Sequence, residues 1–185
     1  MNIAEAKRDL AQRTKKGFPV IIAGLLFWIV ASVTGVLLSE KQVVWVYLIG
    51  MGCVFPFGLM LAAILKIDMF AKGNPLGTLA GVIGGINVLN IPFVLLAYFQ
   101  FPEWLPFVVA MLIGVHFLPY VWIYESKSYG VLSVGTVFVT SVCGILFADN
   151  GLIVIPLSVT AVYLLTLIGL VIENKKAENY QQISA

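Results

Sequence analysis

Six stretches of this chain contain no Asp, Glu, Lys or Arg: residues 17–38, 43–65, 76–98, 105–124, 131–148 and 152–172. Each is 18 to 23 residues long, and a hydrocarbon core of about 30 Å takes about 17–25 helical residues to cross. Spanning strands would be about half as long and would alternate polar with apolar residues, which these stretches do not. The expected fold is an all-α membrane protein, a bundle of six transmembrane helices. Composition agrees: 61% of the residues are hydrophobic and 11% charged. A soluble domain of this size cannot bury that much apolar surface, so the lipid bilayer is the expected solvent and first partner.

The charges lie between the stretches, and their placement predicts an orientation. With the N-terminus in the cytoplasm, Lys7, Arg8, Arg13, Lys15, Lys16, Lys66, Lys72, Lys127, Lys175 and Lys176 all fall inside, and only Lys41 falls outside. Such a bias sets membrane orientation, so both termini are expected to be cytoplasmic. Trp45, Tyr47, Tyr98 and Trp104 occupy the level of an outer aromatic belt, and Trp122, Tyr124 and Tyr129 that of an inner one. The first stretch is too long for a signal-peptide core and lacks a small-residue cleavage site, so it is read as a membrane helix. The net charge of +2 implies no nucleic-acid partner.

The organisation is a basic cytoplasmic segment (1–16), a six-helix transmembrane domain (17–172) and a cytoplasmic tail (173–185). Asn2 and Glu5 form a capping-box pattern, so a short helix is expected at the start. Ile3, Ala6 and Leu10 give it a thin apolar side, suited either to the anionic leaflet or to a solvated tail. Triplets with proline between hydrophobic residues recur, among them those at Pro56, Pro92, Pro119 and Pro156. They do not fall at matching places in two halves, so no inverted repeat is inferred.

The amide and imidazole side chains of the spans all fall between positions 77 and 124. In the third span Gly77, Gly81 and Gly85 form a small-residue stripe for close helix packing. Asn87 projects about 200° from Gly85, which predicts a second packing face and a central position for this helix. His116, the single histidine, lies in the fourth span. Both Asn87 and His116 fall about 16 Å into their helices, so they are expected to meet at the midplane. Asn90 and Tyr120, with Thr136 or Thr140, complete a midplane polar layer, with Cys53, Thr140 and Tyr163 at similar depth. Pro56, Pro92 and Pro119 free the carbonyls of Gly52, Val88 and Val115 as further acceptors. Two readings stay open here: a small polar cavity, or hydrogen bonds that only hold the bundle together.

No metalloprotease, nucleophile-elbow or Walker A motif is present, and no carboxylate lies within a span. No enzymatic activity, metal or cofactor is therefore expected. Cys53 and Cys143 stand apart in apolar runs and are read as small packing residues.

The run Met1-Asn2-Ile3-Ala4-Glu5-Ala6-Lys7-Arg8-Asp9-Leu10, with Lys15-Lys16-Gly17-Phe18-Pro19 and His116-Phe117-Leu118-Pro119-Tyr120, resembles small uncharacterised six-helix membrane proteins of Gram-positive bacteria. The resemblance covers nearly the whole chain and implies a membrane protein of unknown function, with no activity and no functional residue; the expected location is the plasma membrane, as a multi-pass protein.

The leading functional expectation is small-solute transport or a channel, handling a neutral or weakly polar solute of unknown identity, with a homo-oligomer as its form. The alternative is a structural or accessory membrane protein that stabilises a partner, and a membrane-embedded enzyme ranks third. A water-accessible cavity at mid-depth would favour transport, and a solid core the accessory role.

Overall fold

The structure, a computed structural model, describes residues 1–184, with side chains through residue 179. It is helical throughout, with no strand among the described residues. In chain order the helices are α1 (Ile3–Thr14), α2 (Phe18–Leu37), α3 (Glu40–Ile64), α4 (Pro75–Leu89), α5 (Ile91–Gln100), α6 (Leu105–His116), α7 (Leu118–Ile123), α8 (Lys127–Leu146) and α9 (Gly151–Ser184). They make six rods long and apolar enough to cross a membrane: α1–α2, α3, α4–α5, α6–α7, α8 and α9. Each charge-free stretch lies within one rod to within two residues at its end.

Four helices, α2, α6, α8 and α9, form the core, and α3 packs on the outside of α2. Lipid-like surroundings give no hydrophobic drive for helices to associate, so close backbone approach has to hold them. Glycines on the core helices supply it. Gly24 lies under the ring of Tyr163, Gly114 against Thr136, Gly135 against Val162, and Gly169 against Ser128. At Gly35 an added Cβ would collide with the carbonyl oxygen of Leu152. That carbonyl is the one Pro156 leaves without its helical N–H, so α9 runs unbroken through its proline with the freed oxygen covered by α2.

The third span is peripheral, contrary to the central position expected for it. In α4 only Ile83 is buried, and α4–α5 lies against α6 and α7 while touching α1. The stripe does not join it to another helix: Gly81 and Gly85 face open space, and Gly77 meets only the carbonyls of Phe70 and Ala71 in the preceding connection. Glycine removes contact area along with bulk. A stripe of it secures a helix only where a neighbour comes close, and α4 instead turns Ile83 and Gly84 toward α6 and α7.

α1 carries the expected capping box, with Asn2 N donating to Glu5 Oε2 at 2.8 Å and Glu5 N to Asn2 Oδ1 at 2.9 Å. It is neither a free tail nor a helix lying apart on a leaflet. Ala6 and Leu10 are buried against the bundle, and only Ile3 of the expected apolar side is exposed. Asn74 Nδ2 donates to Ala6 O at 2.8 Å and to Asp9 Oδ2 at 2.7 Å. Arg13 pairs with Asp68, Lys7 with Glu125, Lys16 with Glu173 and Lys15 with Glu178. One short helix thereby ties both connections at this end to the end of α9, and both ends of the spanning region lie together.

The join between α1 and α2 is strained. Lys15, Lys16 and Gly17 are all left-handed, with φ of 48°, 54° and 70°, a conformation rare outside glycine. It persists because its surroundings hold it. Asn174 Nδ2 donates to Lys15 O at 3.1 Å and Tyr129 Oη to Lys16 O at 2.7 Å.

Two outcomes follow. Gly35→Val should lower stability by about 1–3 kcal/mol through overpacking, while Gly81→Val stays within about 0.5 kcal/mol, as read by thermal unfolding in detergent. Equal effects would contradict the assignment of core and periphery. At the other contact, the hydrogen bond from Arg13 holds the Asp68 carboxyl below the usual carboxylate range, outweighing the small cost of burial. A lowered folded pKa stabilises above the unfolded value and is lost as pH falls through the folded one. Asp68→Asn should therefore lower Tm by about 2 °C at pH 7. The difference from the parent protein should shrink below about pH 4; a pH-independent difference would contradict the pairing.

Candidate functional site

Two consecutive spans are interrupted. The third changes from α4 to α5 at Asn90, two residues before Pro92, and the fourth from α6 to α7 at Phe117, two residues before Pro119. At each break i→i−3 bonds join the helical ones: Asn90 N donates to Asn87 O at 3.2 Å and Tyr120 N to Phe117 O at 3.1 Å. Phe117 N keeps an i→i−4 bond to Ile113 O at 3.3 Å, and both break residues stay right-handed. Pro56 and Pro156, by contrast, sit inside continuous helices. The two breaks lie on antiparallel neighbours, about 12 and 16 residues from their connection, so about one helical turn separates them in depth.

The polar residues of the hairpin cluster at these breaks. Asn90 is half-buried between α4 and α5, and its Nδ2 donates to Asn87 Oδ1 at 3.5 Å. His116 ends α6, half-buried, with Nδ1 shielded and without a hydrogen-bond partner among the described residues. Its ring stands edge-on to Tyr120 at 5.6 Å and lies 5.1 Å from Phe117. Tyr120 Oη donates to Ala80 O at 2.8 Å and so ties α7 to α4.

The expected hydrogen bond between Asn87 and His116 is not formed. Counting equal depths assumes two straight, continuous helices, and both are interrupted beside these residues. Asn87 is engaged by Asn90, and His116 leans on aromatic rings. Nor does Thr140 join them. Thr136 packs its Cβ against Gly114 on α6, and Thr140 is one turn along the same face of α8. His116 projects about 200° from Gly114, to the other side of α6. Both threonine hydroxyls are buried and unpaired among the described residues, as are Trp28 Nε1 and Tyr47 Oη. Cys53, read as a packing residue, is exposed on α3; Cys143 is buried with Sγ 3.3 Å from Ser158 Oγ.

Sequence reading placed Tyr124 and Tyr129 in an inner belt and Tyr47 in an outer one, but all three are buried. Tyr120, Tyr124 and Tyr129 form a triangle with ring centroids 5.4 to 5.7 Å apart. Phe117 extends it toward Tyr163 at 6.4 Å. This aromatic column descends from His116 to the strained turn, where Tyr129 meets Lys16 O. A readable signal existed: His116, Tyr120 and Tyr124 are four apart and share one helical face. Two clefts lie at opposite ends of the bundle, and neither is lined by Asn87, Asn90, His116, Tyr120 or Thr140.

A family model described as Family of unknown function (DUF7010) matches residues 3–173. The chain belongs to this family. The DUF7010 match opens on α1 and closes on Glu173, so it takes in both members of the Lys16–Glu173 pair as well as both hairpin breaks. No curated protein and no solved structure matches the chain. DUF7010 membership therefore brings a family without an activity, and the chemistry has to be read from the side chains. They offer neutral hydrogen-bonding groups at mid-depth and charge only at the ends. No group of three or more His, Cys, Asp or Glu able to hold a metal ion occurs among the described residues.

Proposed function

We propose that this protein is a transport- or channel-type membrane protein for a small neutral or weakly polar solute. The observation that carries the reading is the interruption of two facing spans at mid-depth beside Asn87, Asn90 and His116. Interrupted helices expose backbone hydrogen-bonding groups where hydrocarbon cannot satisfy them, and transporters place solute sites at such points. With no Asp, Glu, Lys or Arg in the six charge-free stretches, a charged cargo would find no counter-ion there. The solute contacts would be Asn90, Asn87 and His116, with Tyr120 holding the hairpin closed. Enzymatic activity and a nucleic-acid partner are no part of this reading.

Orientation and setting belong to the same proposal. Ten of the eleven basic residues gather at the end that carries α1, which supports cytoplasmic termini in a bacterial plasma membrane. The exposed third span supports a homo-oligomer whose subunits cover it. A second reading, an accessory protein stabilising a partner, is favoured by a different observation: the clefts lie at the two ends while the mid-depth core is packed.

Thiol accessibility separates the two without knowledge of the solute. In a Cys53→Ser background, Asn90→Cys and His116→Cys in sealed membranes should react with a small, water-soluble, membrane-impermeant thiol reagent. Val134→Cys, exposed on the apolar surface of α8, should not. Protection of all three positions, in a protein whose Tm is unchanged, would overturn transport and favour the accessory role.

A further inference from the structure

At the basic end a cleft of about 200 Å³ opens between α1, the corner at Tyr124 and Glu125, and the extension of α9. Four of its lining residues are cationic, Lys7, Arg8, Lys15 and Lys16, against the two carboxylates Glu125 and Glu178. Lys15 is committed to Glu178 at 2.6 Å and Lys16 to Glu173 at 2.7 Å. Lys7 is not so well matched. Its side chain is only 10% exposed, its ammonium lies 3.7 Å over the Trp122 ring, and its one carboxylate contact is 3.3 Å to Glu125. Glu125 is 63% exposed and sits on a left-handed residue with φ of 46°. An ammonium has three donors, and burying it against one solvated carboxylate leaves capacity for a further anionic oxygen.

Arg8 adds the complementary geometry. Its Nε turns back to Ala4 O at 3.4 Å, and its two terminal nitrogens have no hydrogen bond among the described residues. Arg8 and Lys7 both line the cleft, and a guanidinium fork with an ammonium on the same wall matches a group with several oxygens on one centre, which is the chemistry of phosphate. The cleft also lies at the right depth. Tyr124 and Glu125 mark where the fourth span leaves its apolar stretch, the level at which headgroups sit, and basic pockets there recognise anionic lipids.

We propose that this cleft binds a phosphate-bearing anion, either the headgroup of an anionic lipid or a free phosphate group, held by Arg8 and Lys7. Occupancy would join α1 to the extension of α9 across the strained turn. This site is separate from the hairpin breaks and stands whether or not the protein transports.

The test uses the purified full-length protein in neutral detergent, with Tm read during titration by three probes: short-chain phosphatidylglycerol, short-chain phosphatidylcholine and inorganic phosphate, all at constant ionic strength. Phosphatidylglycerol should raise Tm saturably while phosphatidylcholine does not, and Arg8→Gln should weaken the apparent affinity about tenfold. Lys41→Gln, at the opposite end, should leave it unchanged. A saturable rise with inorganic phosphate alone, equally sensitive to Arg8→Gln, would also support the site and assign it to a free phosphate. Because Lys7→Gln removes a buried charge and risks misfolding, the exposed Arg8 is the deciding position. No saturable rise with either anion, or a rise that Arg8→Gln leaves intact, would overturn the proposal.

Discussion

Within an apolar surround every backbone polar group needs a partner from the chain itself, and proline takes one away. How the freed carbonyl is met differs from one proline to the next. At Pro156 the orphaned Leu152 oxygen lies against Gly35 of α2, so α9 continues as one rod and belongs to the core. At Pro92 and Pro119 the helices break instead, and short turn bonds at Asn90 and Phe117 take up the slack. The same residue type thus makes a rigid contact in one place and a discontinuity in another. The difference lies in the neighbour: a glycine that lets a backbone approach, or polar residues that favour a turn.

The second constraint acts at the basic end. Three successive left-handed residues between α1 and α2 carry a backbone cost of order 1–3 kcal/mol for each non-glycine position. Hydrogen bonds from Tyr129 to the Lys16 carbonyl and from Asn174 to the Lys15 carbonyl offset it, together with the ion pairs to Glu173 and Glu178. A segment that could have been a loose leader is therefore a structural part of the bundle. It links the tyrosine triangle, the two connections at that end and the end of α9.

Much of this was legible in the sequence. Six charge-free runs translate directly into six rods, because hydrocarbon tolerates so few alternatives, and the Asn2–Glu5 box is a local interaction that survives in full. The content of the site was legible only in part. Asn87, Asn90, His116 and Tyr120 do collect where two helices break, but the Asn87–His116 bond was inferred from ideal rods. A break changes the facing of every residue near it. The Gly77–Gly85 stripe misled because a stripe states what could pack, not what does, and glycines spread singly over α2, α6, α8 and α9 did that work. Docking of α1 was invisible for another reason: Lys7–Glu125 and Lys16–Glu173 join residues more than a hundred positions apart, and no local pattern encodes such a partner.

Hydrogen–deuterium exchange in lipid nanodiscs tests the hairpin breaks most directly, since it reads the backbone groups themselves. Amides at 90–94 and 117–121 should exchange much faster than those at 132–143 in α8 and 155–166 in α9, because turn bonds beside Asn90 and His116 open to water. Protection at the two breaks equal to that of α8 and α9 would mean a dry, closed hairpin, and would contradict a solute site at mid-depth.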